Sequence, residues 1–218
     1  MLMLIFLLIA TNAFGRVFSD SIADQFLDNV IYGPLEKEIK AMNLDPASLP
    51  DFGIPFTYEF GFIPISGRVD FSNGIFNGLS RVRRLAQCQG PEFDLDDIRI
   101  ECGLNFFGMD IVYDGKATIE QLIPIPFQVT GYVNETHVHS VISGVPTSLK
   151  GNLRLFEITK FGDINLRLSN LGLFQNAYNA VEERFREKVK EELVTIIMTM
   201  FPIAFKQAIM QVKLPGLG

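Results

Sequence analysis

Residues 174–205 read FQNAYNAVEERFREKVKEELVTIIMTMFPIAF, a stretch in which apolar side chains return every three or four positions. This spacing places them on one face of an α-helix, which makes 3.6 residues per turn. A long C-terminal helix of this kind has to bury its apolar stripe against another element of the fold. The predicted stripe consists of Phe174, Tyr178, Val181, Phe185, Val189, Leu193, Ile196, Ile197 and Met200.

The second half of this helix, from Leu193 to Phe205, is apolar on nearly all sides except at Thr195 and Thr199. A membrane-spanning helix needs about 20 apolar residues. The run is shorter than that, and it meets Pro202 and then Lys206. We therefore expect protein, and not lipid, to enclose the end of the helix.

A second amphipathic helix is predicted near the N-terminus. Gly33-Pro34 lies inside it, and an interior proline removes a hydrogen bond and clashes with the preceding turn, so we expect a kink or break there. Asp45-Pro46 and Leu49-Pro50-Asp51 are predicted to end the helix. Its apolar stripe is formed by Ile22, Phe26, Leu27, Val30, Ile31, Leu35, Ile39 and Met42.

Between the two helices the apolar period changes from about four to two, which indicates strands with one buried and one solvated face. Val69 and Phe71, for example, alternate with Arg68 and Asp70, and residues 98–104 and 164–168 repeat the pattern. Helical crossovers are not visible in this stretch, so the predicted sheet is antiparallel.

One local signal in this region has two interpretations. Asp114-Gly115 fits the rule for a two-residue hairpin turn, and it equally fits a bulge within a longer strand.

These patterns together predict an α+β fold in which a long, curled antiparallel sheet wraps the C-terminal helix and the N-terminal helix. Neither helix can bury its stripe except against the apolar face of the sheet. The chain has 20 Phe and no Trp, so large apolar side chains are plentiful for that interior. An enclosed space of this kind favours an apolar cavity for a small molecule.

Residues 1–15 have the pattern of a cleavable signal peptide. They carry no charged side chain, run apolar from Leu2 to Ala10 and end in Ala13-Phe14-Gly15. The apolar run is about half of the ~20 residues that a membrane anchor needs. We expect a secreted, extracellular protein that begins at Arg16, with cleavage after Ala13 as the alternative, and residues 16–218 as a single domain.

In a secreted protein, the two cysteines and one asparagine motif predict covalent modifications. Cys88 and Cys102 are the two cysteines of the chain, and in an oxidising compartment they are expected to form one disulfide. Asn134-Glu135-Thr136 fits the acceptor pattern for N-glycosylation, which predicts an exposed position for Asn134.

Charge and motifs exclude several classes of function. The net charge of −6 argues against nucleic acid and against general attraction to anionic membranes. The chain has no nucleophile-elbow glycine-x-serine-x-glycine, no phosphate-binding glycine loop and no histidine-glutamate metal helix. We predict no catalytic residues and no cofactor.

Two small clusters have the residue types of a binding site. His137 and His139 share a face of a predicted strand, as zinc ligands do, but no third ligand is evident and no metal site is predicted. Arg81, Arg83 and Arg84 have the charge to contact endotoxin phosphates, although a solvated strand edge explains them more simply.

Several short motifs follow one another along most of the mature chain. They are Asp45-Pro46-Ala47-Ser48-Leu49-Pro50-Asp51, Ser66-Gly67-Arg68-Val69-Asp70-Phe71, Gly78-Leu79-Ser80-Arg81-Val82-Arg83-Arg84, Tyr113-Asp114, Gly151-Asn152-Leu153 and Phe201-Pro202-Ile203-Ala204-Phe205-Lys206. In their order and spacing they resemble the group-seven dust-mite allergens and their arthropod relatives, members of the tubular lipid-binding superfamily that includes the bactericidal/permeability-increasing proteins.

This resemblance implies a super-rolled antiparallel sheet around a long C-terminal helix, an apolar pocket and no catalytic residues. It also implies that Tyr113-Asp114-Gly115 lies within a continuing strand. Cys88 and Cys102 depart from the mite allergens. The juvenile-hormone carriers of the same superfamily place their cysteine pair near the mature N-terminus, so hormone carriage is not expected here.

The sequence therefore predicts a secreted protein that holds a lipid or another apolar small molecule in an internal hydrophobic cavity. The alternative is a ligand-free structural or immune recognition protein on the same fold. Periodicity does not separate cavity wall from core. The candidate ligand-binding residues are Phe26, Val30, Val69, Phe71, Ile111, Tyr113, Tyr178, Val181, Phe185, Val189 and Leu193.

A transient membrane contact is also expected. The apolar segment Leu122-Ile123-Pro124-Ile125-Pro126-Phe127 is the candidate for it, and the alternative is a loop folded onto the barrel end.

Overall fold

The computed structural model describes residues 22–60, 62–93, 97–119, 124–148, 150–169 and 175–215, and gives only the backbone for Phe60 and residues 175–180. The predicted signal peptide, residues 1–15, lies outside these ranges. So do Leu122 and Ile123 of the predicted membrane segment.

Two long helices frame the described chain. Helix α1 comprises residues 22–30, a π-helical turn at Ile31–Leu35 and Glu36–Ala41. Helix α2 comprises Gln175–Thr195, a π-helical turn at Ile196–Met200 and Phe201–Gln211.

The expected break at Gly33-Pro34 is wrong, because α1 continues through it. Pro34 lies inside the π-helical turn. A π turn bonds each N–H five residues back and is wider than an α turn, so the helix absorbs a residue that has no N–H and carries a bulky ring. The helix ends at Ala41, ahead of Asp45-Pro46 as predicted.

The strands between the helices pair antiparallel throughout the described residues, as the period-two pattern predicted. A 3₁₀ turn at Leu79–Arg81 separates the third strand from the fourth. The strands are β1 (Ala47–Leu49), β2 (Phe52–Phe60), β3 (Ile63–Asn77), β4 (Arg83–Arg84), β5 (Gln89–Phe93), β6 (Ile98–Phe106), β7 (Met109–Ile119), β8 (Ile125–Val133), β9 (Thr136–Gly144), β10 (Asn152–Lys160) and β11 (Ile164–Leu168).

The strands form two half-sheets that are folded along one line. The first half-sheet has the order β1-β3-β7-β8-β11, with β2 also on β3, and the second has the order β10-β9-β6-β4, with β5 also on β6. The chain passes between them from β3 to β4, from β6 to β7, from β8 to β9 and from β10 to β11. Neighbours in one half-sheet therefore stay neighbours in the other, as in a single super-rolled sheet.

We call this line the crease and define it by Gly78, Gly108, Asn134-Glu135 and Gly162, where the chain crosses. Gly78 and Gly108 have φ of 105° and 63°, a region that favours glycine. Gly162 lies close to the backbone of Asn134, where an added Cβ would come within 2.1 Å of the Asn134 carbonyl oxygen. The glycines thus let adjacent corners of the sheet approach one another.

Two of the family-like motifs meet at the crease. The Asp45 carboxylate accepts hydrogen bonds from the backbone N–H groups of Gly78, at 2.9 Å, and Ser80, at 2.7 Å, and from the Ser80 hydroxyl. It thereby satisfies free N–H groups at the start of the Leu79–Arg81 turn. The exit of α1 and the corner between β3 and β4 are held together by one side chain.

The structure resolves the two interpretations of Asp114-Gly115 in favour of a continuing strand. Gly115 pairs with Phe71 on one side and Phe127 on the other, in the middle of β7. An added Cβ there would come within 2.4 Å of the Phe127 ring. Glycine is present because an aromatic ring lies across it, and no turn is formed.

Helix α2 buries a stripe that winds around its axis. Every fourth residue from Val181 to Ile209 is buried. Four residues exceed one turn of 3.6, so an α-helical stripe with this spacing rotates by about 40° per step. The first part of α2 therefore packs on the first half-sheet through β2 and β11, and the last part packs on β10 and α1.

Both edges of the first half-sheet bond to α2. The Arg184 guanidinium donates to the Pro55 carbonyl oxygen on β2 at 2.9 Å, and the Arg186 guanidinium donates to the Ile164 carbonyl oxygen on β11 at 3.1 Å. Because β2 and β11 are opposite edges, the half-sheet has to curl around the helix. This contact also covers edge carbonyls that would otherwise be open to pairing.

The expectation that protein encloses the end of α2 is only partly correct. Met200, Ile203 and Met210 are exposed, and the π turn at Ile196–Met200 turns Met200 out of the predicted stripe. The length argument against a membrane span is also corrected, because Val181–Gln211 contains an 18-residue window with a mean hydropathy of 1.7 and is by length and composition able to cross a membrane. In this fold the helix packs its buried side inside the sheet.

Cys88 and Cys102 form the predicted disulfide. It joins the residue before β5 to the middle of β6, and the Cys88 N–H donates to the Asp24 carboxylate of α1 at 2.7 Å. Closing a loop of about 15 residues contributes about 3 kcal/mol in the chain-entropy model. The bond therefore joins β6 to the segment before β5, which is itself hydrogen-bonded to α1.

Candidate functional site

The first half-sheet and α2 enclose a cluster of aromatic rings, which we call the aromatic cluster. It consists of Phe52, Phe71, Tyr113, Phe127 and Phe185. The ring of Phe185 lies 4.6 Å from that of Phe71, 5.5 Å from Tyr113 and 5.6 Å from Phe52, measured between centroids. Phe127 packs edge-on against Phe71 at 6.1 Å. Four strands and one helix thus place five rings in one interior.

The cluster forms because each ring points inward from its strand. Burial alternates along β3 and β7, and Phe71 and Tyr113 are at buried positions of these strands. Phe185 lies on the buried stripe of α2 that begins at Val181. Edge-on and tilted arrangements, such as the 81° angle between Phe71 and Tyr113, match the quadrupoles of aromatic rings. The site is therefore apolar and rich in aromatic surface.

Most of the predicted ligand-binding residues are on elements that border this interior. Phe71, Tyr113 and Phe185 are members of the aromatic cluster. The remaining members of this group are buried residues on β3, β7 and α2, namely Val69, Ile111, Val181, Val189 and Leu193. Whether any of them contacts a ligand stays a prediction.

The structure does not place the other three predicted residues beside the aromatic cluster. Phe26 and Val30 are buried on α1, whose later turns pack against the last segment of α2, Phe201–Gln211. Tyr178 lies on the described backbone of α2, but its side chain is outside the described residues.

A second group of rings lies at the other end of α2. Phe201 packs against Phe106 of β6 at 4.8 Å, against Phe156 of β10 at 5.7 Å and against Phe205 at 6.0 Å. These residues were absent from the predicted site, as were Phe52 and Phe127. The alternation of Phe52, Ile54 and Phe56 along β2 was the signal that could have indicated Phe52.

The Tyr113 hydroxyl is the polar group of the aromatic cluster, whose other four members are phenylalanines. It donates to the Pro50 carbonyl oxygen at 3.1 Å, beside Asp51. Burial, followed by the negative charges of Glu192 and Asp51, raises the pKa of Tyr113. The hydroxyl is thus neutral and already bonded, and the cluster offers an incoming molecule apolar contact.

We expect Tyr113→Phe to alter the response of stability to alkaline pH. A raised pKa means that the folded protein holds this proton more tightly than the unfolded chain, so the free energy of unfolding falls as pH rises above about 10. The substitution should flatten that fall and cost about 0.5–1.5 kcal/mol at neutral pH, because the Pro50 carbonyl loses a donor. Urea unfolding between pH 7 and 11 measures both effects.

The matched control for this experiment is Tyr132→Phe, since the Tyr132 side chain is exposed. Its unfolding free energy should follow the wild-type pH profile. If Tyr113→Phe and Tyr132→Phe had the same profile as the wild type, the Tyr113 hydroxyl would not be the buried group described above.

The arginine cluster does not form a free basic patch. Arg84 forms ion pairs with Asp24 at 3.1 Å and Asp28 at 3.2 Å, and hydrogen bonding to Asp28 raises its pKa. The Arg83 guanidinium lies 3.5 Å from the Glu135 carboxylate, and the Arg81 guanidinium lies 3.6 Å from the Asp110 carboxylate of β7. Each arginine therefore has an acidic partner, which reduces the positive charge that the cluster presents to a ligand.

The two histidines lie apart from any metal-binding group in the described chain. His137 and His139 each have one carboxylate, Glu135 and Glu101 respectively, at 3.7 Å. No group of three or more potential ligands occurs among the residues that the structure describes.

The predicted glycosylation site lies on the crease. Asn134 is exposed at the corner between β8 and β9. Its side-chain oxygen accepts a hydrogen bond from Asn165 at 3.3 Å, and the Thr136 hydroxyl accepts one from the Gly162 N–H at 3.0 Å. Modification of Asn134 stays a prediction.

Comparison with known proteins gives a family and two distant structural likenesses. No curated protein matches the chain in sequence. The fold is similar to the crystal structure of lipopolysaccharide binding protein, with a TM-score of 0.44, 13% identity, and coverage of 84% of this chain and 40% of that one. It is also similar to Takeout 1 of Epiphyas postvittana, with a TM-score of 0.34, 14% identity, and coverage of 85% and 87%.

The family is shown by the sequence itself. The family model described as Group 7 allergen matches residues 19–206, which include both helices up to Lys206 and all the described strands. This match confirms the resemblance carried by the ordered motifs. The chain belongs to the Group 7 allergen family.

Proposed function

We propose that this protein binds a lipid or another apolar small molecule between the first half-sheet and α2. The observation that supports the proposal is the aromatic cluster, an interior of five rings enclosed by a curled sheet and one helix. Concave, mostly apolar interiors are typical of small-molecule sites. Membership of the Group 7 allergen family and the ordered motifs of the tubular lipid-binding superfamily support the same function.

The chemistry of the cluster favours an uncharged chain or ring system as ligand. Burying a polar group without a partner costs free energy, and the Tyr113 hydroxyl is already bonded to Pro50. The part of the ligand inside the cluster is therefore a hydrocarbon, such as the acyl chain of a fatty acid or lysolipid. Its polar end remains outside the rings.

The proposed site is lined by the predicted residues that border this interior. They are Val69, Phe71, Ile111, Tyr113, Val181, Phe185, Val189 and Leu193, to which the structure adds Phe52 and Phe127. Tyr178, at the start of α2, is proposed for the mouth of the site, where its hydroxyl would contact a headgroup or carboxyl oxygen.

The test is recovery of ligand from the secreted protein. Protein purified from the medium of expressing eukaryotic cells is extracted with organic solvent, and the extract is analysed by mass spectrometry beside an extract of the same protein unfolded and washed. We expect bound lipid in the first and none in the second. Repeated absence of lipid, together with no response to fluorescent fatty-acid probes, would contradict the proposal.

One observation favours the second candidate, a ligand-free structural or recognition protein. The rings of the aromatic cluster are in contact, with centroids 4.6–6.3 Å apart, and several are fully buried. A ligand has to displace at least one ring to enter. A protein that stays empty in the extraction and also fails to take up probes would support this candidate.

The proposed site belongs to a secreted protein. We propose that residues 1–15 direct secretion and are removed, and that residues 16–218 act as one extracellular domain with a glycan on Asn134. The chemistry is binding without catalysis, cofactor or metal. The partners are an apolar molecule and, transiently, a membrane, with no nucleic acid.

A further inference from the structure

The hairpin formed by β2 and β3 extends beyond the described pairing of β3 with β7. Strand β3 pairs with β7 from Gly67 to Asn77, and the pairing described for residues 63–66 of β3 is with β2. Residues 120–123, which follow β7, lie outside the described part of the chain. Four residues at about 3.3 Å each make a projection of about 13 Å. Among the described residues, the end of the hairpin is thus a two-stranded ribbon of β2 and β3.

The end of this ribbon is apolar and exposed, and we call Phe62, Ile63 and Pro64 the hairpin tip. Phe62 is 104% exposed and Ile63 is 65% exposed, and Pro64 is exposed as well. Between Phe56 and Gly67 the sequence has one charged residue, Glu59. Large apolar side chains grouped at a projecting end usually mark a contact with a partner or a membrane.

We propose that the hairpin tip inserts into the interfacial region of a lipid bilayer. An isolated two-stranded ribbon is marginal in water, and aromatic residues favour the headgroup level of a membrane. The chain carries a net charge of −6 and the tip itself is uncharged. Attraction to anionic lipid therefore does not contribute, and the contact depends on apolar insertion into a zwitterionic surface.

The same hairpin connects the tip to the interior of the protein. On the inward face of β2, the rings of Tyr58 and Phe56 stack at 6.2 Å, and Phe56 is buried. Further along the strand, Phe52 contacts Phe185 of the aromatic cluster at 5.6 Å. This row of rings leads from the membrane-facing end to the proposed site, so the inference that the tip serves lipid exchange rests on the proposed function.

Part of the membrane segment predicted from the sequence lies within the sheet, and Leu122 and Ile123 lie outside the described residues. Of that segment, Ile125, Pro126 and Phe127 belong to β8 between β7 and β11, and Phe127 is buried in the aromatic cluster. Pro126 lies in this strand and Pro124 directly precedes it. Within the described residues, the β2–β3 hairpin carries an exposed apolar end of the sheet.

Flotation with phosphatidylcholine vesicles tests the proposal. The full secreted chain should float with the vesicles, and the variant Phe62→Ser/Ile63→Ser should lose at least tenfold in partitioning. The control Tyr132→Ser/Leu155→Ser removes two exposed apolar side chains from the outer faces of the sheet and should bind as the wild type does. Binding should change little between low and high salt, since no ion pairing is involved.

A fluorescent reporter keeps the test independent of folding. The chain has no tryptophan, so Phe62→Trp places a single one at the tip. Its emission should shift to shorter wavelength with vesicles and be quenched by brominated phosphatidylcholine. A wild-type chain that fails to float, a serine variant that floats equally well, or a tryptophan that is not quenched would overturn the proposal.

The same variants separate this proposal from the proposed function. The tip variant should still take up a fluorescent fatty acid delivered from ethanol without vesicles, because the aromatic cluster is intact. Vesicle binding without any fatty-acid uptake would contradict the proposed function and leave the membrane contact standing.

Discussion

Phe185→Ala should unfold about 3–5 kcal/mol more easily than the wild type in the absence of ligand, and should bind longer or bulkier apolar molecules. The ring of Phe185 is 2% exposed and contacts Phe52, Phe71 and Tyr113. Removing a buried phenyl ring loses transfer free energy and leaves a cavity, which together cost about 3–5 kcal/mol. Thermal or urea unfolding measures this loss.

Added ligand should restore part of that stability. An apolar cavity without polar partners stays dry and accepts apolar molecules. A ligand at 100 times its Kd stabilises the folded protein by about 2.7 kcal/mol. We therefore expect fatty acids to raise the melting temperature of Phe185→Ala more than that of the wild type, with the preferred chain length shifted upward.

Phe201→Ala is the matched control, since Phe201 is a buried ring of the same helix that packs on Phe106 and Phe156 at the other end. It should lose similar stability without a change in chain-length preference. A large stability loss in Phe185→Ala with an unchanged preference would place Phe185 in the core only. The same change of preference in both variants would show that the ligand is not confined to the aromatic cluster.

The elements of the fold were predictable because their signals are local. The stripe of α2 and the alternation around Val69 and Phe71 follow from the periods of helix and strand. The break expected at Pro34 does not occur, because a π turn accommodates the proline and such a turn leaves no mark in the hydrophobic pattern. The same is true of Met200, which a π turn moves to the surface.

The crease could not be predicted, because it depends on which strands become neighbours. Gly78, Gly108 and Gly162 are separated by dozens of residues and look like ordinary turn glycines in the sequence. Only the shared order of the strands in both half-sheets shows that they lie in one row. Long-range proximity of this kind has no period that a single sequence reveals.

The sequence predicts which faces of the strands and of α2 point inward. It does not predict which residues on those faces contact one another. Phe71, Tyr113 and Phe185 lie on inward faces that alternation identifies, and the structure brings them together. Phe26 is also apolar and also lies on a regular helical stripe, but the packing of α1 does not bring it into the aromatic cluster. Periodicity gives the direction of a side chain relative to its own element, and the packing of elements decides which directions meet.

Gly78→Ala should destabilise the fold by about 2–6 kcal/mol, because Gly78 has φ of 105° at the crease. A Cβ there would lie 2.7 Å from the Gly108 carbonyl oxygen and 2.9 Å from the Met109 Cα. The strained backbone costs about 1–3 kcal/mol, and forcing two corners apart costs about 1–3 kcal/mol more. The free energy of unfolding in urea measures the sum.

Gly33→Ala provides the control, since an added Cβ at Gly33 meets nothing within 4 Å and the residue lies inside α1. Alanine favours helix over glycine by up to about 1 kcal/mol, so this variant should be unchanged or more stable. Comparison of Gly78→Ala with Gly33→Ala separates the stability loss at the crease from any general effect of replacing glycine by alanine. If Gly78→Ala unfolded at the same urea concentration as the wild type, the corners at Gly78 and Gly108 would not be in contact, and the two half-sheets would not be joined along the line described here.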